Sequence, residues 1–286
     1  MFHKFYNRVI ILGTLIAKTA LYIGSGQDSY MPSGVQGALL KDAFSQPYIP
    51  GSSIKGVLRS FLESIQDTRN SGCFMGGACT SKYSDAKGRT ELSNEISMIV
   101  RKHNEKYNDE LILQYVAETI AAKSCPACSL FGSSQIAGKV KIADAVLVDQ
   151  TTVLKPDIRN GVAIERDTRT AKGSALYDME AIPAGTRFQL KIIIDNLTQE
   201  DAIIFGNLLE FFALGGIFLG GRIRSGLGSV YSDGISVIIT AVDENSIFPK
   251  QRESVEVDKN KIATTLPALL KNIYALPPID RRKINV

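Results

Sequence analysis

Tryptophan is absent from this 286-residue chain, and histidine occurs only at His3 and His103. So few imidazoles leave little room for the commonest general base. No apolar run is long enough to span a bilayer. The run Val9 to Ala17, preceded by Lys4 and Arg8, imitates a secretory signal, but its β-branched content suits a buried strand. Disorder is equally unsupported, because 44% of residues are hydrophobic and 22% charged. Neither charge sign dominates: the net charge of +4 permits a nucleic-acid partner without demanding one. The composition is that of a cytoplasmic globular protein with no membrane partner.

Cysteine is scarce but ordered. The four fall as Cys73-x5-Cys79 and Cys125-x2-Cys128, and two short knuckles presenting paired thiolates are the usual way to build a tetrahedral Zn²⁺ shell. The spacing points to one structural zinc on Cys73, Cys79, Cys125 and Cys128. The competing reading is buried thiols beside a redox CxxC. Disulfides fit less well, since a chain of this length can build its core without staples, and metal-type thiol pairs favour a reducing interior.

The periodicity predicts a strand within residues 9–23 and a helix after Pro50-Gly51, capped by Ser52 or Ser53. Ile54, Val57, Leu58, Phe61 and Leu62 form its apolar stripe. Residues 65–130 read as a polar insertion with a helix near Asp109 to Ala122. Strands follow at 139–148 and 187–194. A second helix opens at Thr198, where Asp201 completes a capping box, and Ile204, Leu208, Phe211 and Phe212 supply its core face. Strands over 229–239 and a C-terminal extension over 241–286 complete the chain. This order is that of an α+β protein, a ferredoxin-like βαββαβ unit carrying insertions. Such a sheet often holds single-stranded RNA on its open face. The aromatic stacking signature is missing here, so a binding surface must be sought in loops.

Three loops qualify. At Gly51-Ser-Ser-Ile-Lys-Gly56 a helix start, with Ser52, Ser53, Lys55 and Arg59 nearby, suits an anion, although the nucleotide-binding P-loop pattern is absent. In Gly220-Gly221-Arg222-Ile-Arg224 the glycines permit close backbone approach, and an extended segment would point both arginines to one side. Between Asn160 and Glu180, Arg166, Arg169 and Lys172 sit on a predicted protruding hairpin. There they could track a phosphate backbone while Leu176 and Tyr177 wedge against bases. For each loop, an ordinary solvated turn is the alternative.

Taken together, Pro47-Tyr-Ile-Pro-Gly-Ser-Ser-Ile-Lys-Gly56, Gly161-Val-Ala-Ile-Glu-Arg-Asp-Thr-Arg-Thr-Ala171 and Leu219-Gly-Gly-Arg-Ile-Arg-Ser-Gly-Leu-Gly228 resemble the RAMP superfamily. The resemblance runs over roughly residues 15–235 and is to the backbone subunits of type III CRISPR effector complexes of the Csm/Cmr kind. It implies a single domain, a modified RRM-like palm with an inserted fingers module and a thumb hairpin at 158–185. It also implies guide crRNA and target RNA as ligands, and copies, paralogues or other effector subunits as partners. Zinc sites occur in some relatives. Cleaving members carry an aspartate six residues before an acidic position that corresponds to Asp42, and that place is Gln36 here, an amide unable to act as an acid or anionic metal ligand. If the chain cleaves target RNA with a divalent cation such as Mg²⁺, Asp28 or Asp42 would have to serve. A zinc-dependent interaction module outside CRISPR biology is the remaining alternative.

Overall fold

The computed structural model describes residues 5–25, 37–67, 124–133, 136–151, 153–242 and 249–271, with isolated positions between 94 and 101. Asp28, Gln36, Cys73, Cys79 and the helix expected near 109–122 lie outside them. The elements are β1 (Asn7–Ala17), α1 (Gly51–Asp67), α2 (Pro126–Phe131), β2 (Val140–Ile142), β3 (Asp157–Ile164), β4 (Ala171–Ala181), β5 (Arg187–Asp195), α3 (Gln199–Ala213), β6 (Val230–Ala241), β7 (Lys250–Val257) and α4 (Ile262–Lys271).

An antiparallel sheet in the order β2-β5-β1-β6-β7 forms the body, and β3 pairs with β4 in a separate two-stranded ribbon. Removing β7 and the ribbon leaves the ferredoxin-like order expected from sequence. The sheet is therefore one strand wider than the four-stranded unit, because the C-terminal extension adds β7 beside β6 and packs α4 on α3. Gly206 permits that approach: a Cβ there would stand 3.2 Å from Ala263 Cα. The strand expected over 139–148 is also shorter. It ends at Ile142 and continues only as single bridges at Ala145 and Leu147.

Two-residue alternation explains the sheet's two faces. Val9, Ile11, Leu15 and Ala17 of β1 and Phe188, Leu190, Ile192 and Ile194 of β5 are buried with Ile54, Leu58 and Leu62 of α1 and Phe205, Leu209 and Phe212 of α3. The alternate residues form the other face, where Ile10 lies in register with Ile193 and Ile238. It is aliphatic at its centre and charged at its ends, where Arg8 and Lys141 both bond the Asp195 carboxylate.

The α3 capping box forms as read, with the Thr198 hydroxyl accepting from the Asp201 N–H and the Asp201 carboxylate accepting from the Thr198 N–H. Asp201 is also ion-paired with Lys139 in the interior. Phe211 is not in the core. It is 42% exposed and stacks on Phe61 at the α1–α3 seam, ring centroids 4.8 Å apart, because the buried face of α3 is centred one residue round, on Phe205, Leu209 and Phe212. At the start of α1 neither Ser52 nor Ser53 caps. The helix begins at Gly51, whose N–H donates to Asp144 Oδ1 at 2.8 Å, while the Ser53 N–H goes to the Pro50 carbonyl.

Candidate nucleic-acid interface

Two of the three loops singled out by sequence gather at the edge of the sheet where strand ends meet. The end of β1, the start of β5 and the start of β6 meet there: the Ala17 N–H donates to the Thr186 carbonyl and the Lys18 N–H to the Ser229 carbonyl. The chain beyond β1 then bridges Leu21 to Ile182 at the foot of the β3–β4 ribbon. Residues 37–41 close the same foot. The Gly37 N–H donates to the Asp178 carbonyl, and the Glu180 carboxylate takes the Leu39 N–H and the Lys41 ammonium.

The glycine-rich loop 219–228 lies against this edge. Gly220 has φ +80, and a Cβ on it would stand 2.3 Å from the Tyr22 carbonyl oxygen, so the loop seats directly on the main chain after β1. The glycines thus serve packing within the protein. Arg222 and Arg224 do not alternate on an extended segment. Arg222 is left-handed (φ 59, ψ 27) and Ile223–Ser225 form a 3₁₀ turn, which Gly226, with φ +83, closes. Gly221, Arg222, Ile223 and Arg224 are all exposed. Arg222 lies over the Tyr177 ring, 4.6 Å from its centroid, with Nη1 3.3 Å from the hydroxyl. Tyr177 therefore faces the loop and is not a free wedge. Its ring covers Gly161 on the facing strand, where a Cβ would meet it at 2.1 Å.

The ribbon is a two-stranded sheet separate from the body. Its strands pair from Asp157–Ala181 to Ile164–Ala171, and its turn is closed by the Arg169 N–H donating to the Glu165 carbonyl. Arg166 and Arg169 at the tip are exposed, and Lys172 is the second residue of β4. The tip is of mixed sign, since Glu165 and Asp167 alternate with the arginines. Ile158, Val162 and Ile164 give β3 exposed apolar side chains. Among the described residues, none of Arg166, Arg169, Arg222 and Arg224 makes an ion pair.

The α1 cluster sits apart from this edge. Its helix start faces Ile142 and Asp144. Asp144 already supplies an anion to the Gly51 N–H. Ser52 is exposed and Ser53 half-buried on the first turn. Lys55 is half-buried, and burial first and the neighbouring Arg59 second push its pKa below the ordinary lysine value. Arg59 turns inward, bonding Glu63 and the Gly132 carbonyl, each at 2.8 Å.

Asp42 is a turn-builder. Its Oδ1 accepts the N–H groups of Phe44 and Gln46, both at 2.9 Å, around a left-handed Ser45. Cys125 caps α2, its sulfur accepting the Cys128 N–H at 3.4 Å, and both cysteines are buried among Ala127, Leu130 and Phe131. Among the described residues no group of three or more metal-ligating side chains assembles, and no helix is long and apolar enough to cross a membrane. Sequence reasoning missed Tyr22, Gly161 and Asp144. Only Gly161, a glycine within the predicted hairpin, carried a local signal.

Fold and site together define a ferredoxin-like α+β protein with exposed arginines on a loop where strand ends meet and on an inserted ribbon. A family model described as the RAMP superfamily matches residues 14–231, and the chain belongs to that superfamily. Three similar relatives each bear the name CRISPR system Cms endoribonuclease Csm3. The one from Methanocaldococcus jannaschii is 23% identical over 266 residues, 88% of this chain and 90% of its own length. The one from Methanothermobacter thermautotrophicus is 38% identical over 78 residues, 27% of this chain and 32% of its own length. The one from Enterococcus italicus is 40% identical over 58 residues, 20% of this chain. The chain thus spans about a third or less of the length of two of these relatives.

Proposed function

We propose that this protein is a crRNA-binding backbone subunit of a type III CRISPR ribonucleoprotein. In this reading the β3–β4 ribbon is the thumb, the five-stranded sheet with α1 and α3 the palm, and other effector subunits or further copies its neighbours. The observation that carries the reading is the gathering of the 219–228 loop and the ribbon foot at one sheet edge, with Arg222 and Arg224 exposed and without acidic partners among the described residues. Such cations hold a sugar–phosphate strand without reading its sequence. Lys55, with Ser52 and Ser53, forms a second, separate contact, and Arg166, Arg169 and Lys172 a third along the ribbon. The test is binding of single-stranded RNA across a salt series. Each lost phosphate contact should lower the log–log slope by about 0.7, so neutralising Lys55, Arg222 and Arg224 to glutamine together should lower it by about 2. An unchanged slope, or crRNA retained as by the parent, refutes the reading.

The relatives' name supports a second reaction, metal-dependent cleavage of target RNA by the same subunit. Asp28 and Asp42 are its candidates, although the Asp42 carboxylate already holds two backbone N–H groups. Unchanged cutting by an assembled complex carrying Asp28→Ala and Asp42→Ala removes both residues from the chemistry.

Cys125 and Cys128 fit half of a structural Zn²⁺ site shared with Cys73 and Cys79. A thiolate at a helix N-terminus that accepts a backbone N–H is the donor such a knuckle supplies. The metal would clip the 65–130 insertion to the body.

A further inference from the structure

Arg222 is held more tightly than a phosphate contact requires. A cation that only neutralises a strand works from a mobile side chain, whereas this one has a fixed left-handed backbone and a guanidinium laid over an aromatic ring at 4.6 Å. The ring is held in turn. Tyr177 pairs with Gly161 across the ribbon, and its ring occupies the space that any Cβ at 161 would fill. The Tyr177 hydroxyl adds only a long contact, 3.3 Å from Arg222 Nη1. No carboxylate among the described residues competes for the ion, and Arg222 is exposed. The neighbouring Ile223, 48% exposed, extends an apolar edge beside it.

A planar cation held over an aromatic ring can take a second π system on its free side, and single-stranded nucleic acids present such faces in their unpaired bases. We infer that the Arg222 guanidinium is a stacking platform for an unpaired nucleobase, with Tyr177 and Gly161 as the positioning residues that hold it. The inference rests on the RNA-binding reading and deepens it: Arg222 adds recognition of a base face to its charge, where the other cations take phosphates alone. It also ties the glycine-rich loop to the ribbon, because each side of the stack comes from one of them.

The experiment compares full-length protein binding to a single-stranded oligouridylate of about eight nucleotides and to an abasic ribose–phosphate oligomer of the same length, by fluorescence anisotropy. The parent should prefer the oligomer with bases by about tenfold. Arg222→Lys keeps the charge and loses the plane, and Tyr177→Leu loses the support. Each should lose about tenfold on oligouridylate and little on the abasic oligomer, and the double variant should lose no more than either alone. Tyr177→Phe, which keeps the ring, should bind like the parent. An Arg222→Lys variant with the parental preference makes Arg222 a simple cation and overturns the inference, as does a preference that survives Tyr177→Leu. A parent that binds both oligomers equally overturns it while leaving RNA binding intact. A parent that binds neither removes the RNA-binding reading itself.

Discussion

Replacing Lys139 by methionine tests how the sheet is fastened to α3. Lys139 immediately precedes β2, and its side chain, 2% exposed, is ion-paired with that of Asp201, 8% exposed. Its carbonyl accepts the Asp195 N–H, so the same residue secures β5 next to the turn into α3. Methionine preserves most of the buried stem and removes the charge, leaving the Asp201 carboxylate enclosed with only the capping-box N–H for support. Removing one partner of a buried pair costs about 3–5 kcal/mol. At about 2–4 °C per kcal/mol for domains approaching this size, the melting temperature should fall by roughly 6–20 °C. Asp201→Asn alone strands the ammonium and should cost about as much. The double variant removes both charges and keeps an oxygen for the cap, so it should return to within about 2 kcal/mol of the parent. Differential scanning calorimetry of the four proteins gives the coupling directly. A Lys139→Met shift below about 3 °C, or a double variant as unstable as the two singles summed, refutes the account.

Gly220→Ala and Gly226→Ala separate backbone strain from collision. Both glycines have positive φ, but only a Cβ at 220 meets main chain, so Gly220→Ala should cost about 2 kcal/mol more in urea unfolding and weaken RNA binding; equal midpoints would contradict the loop's seating on Tyr22. For pH, burial is the largest single influence on Asp195 and raises its pKa, but the bonds from Arg8 and Lys141 together outweigh it, and the net shift is downward. A depressed carboxylate contributes stability that is present above the unfolded value of about 3.9 and lost as pH falls through its lower folded value. Thermal melts of Asp195→Asn should therefore approach the parent's as the pH drops through that window, and a constant gap would exclude the linkage. Elemental analysis of purified protein should find about one zinc per chain. Cys125→Ser and Cys128→Ser should each abolish it, and a folded metal-free parent would defeat the site.

Local periodicity was enough to read β1, α1 and α3, because each has a repeat that its own burial enforces, while the ribbon was legible from its turn and charge content. The Thr198–Asp201 box was legible for the same reason: both partners lie within one helical turn. What escaped was set by distant chain. The cap on Gly51 comes from Asp144, 93 residues on, so Ser52 and Ser53 had no reason to serve. The backbone around Arg222 is shaped by Tyr22 and Tyr177, and alternation, which presumes an extended chain, misplaced the two arginines. Phe211 was misread because Phe61 on another helix gives it a partner at the rim. β7 follows a polar, charged stretch whose pattern says little until β6 offers it an edge.

The ribbon leaves the body at Asp157 and returns at Ala181, two residues that face each other across the same rung. Beyond the Gly161–Tyr177 rung, a segment that departs and comes home at a single doorway asks little of the architecture behind it. Its outer rungs can be added or removed while the five-stranded sheet keeps its register, so the distance this arm spans is an adjustable measure, set independently of the fold that carries it.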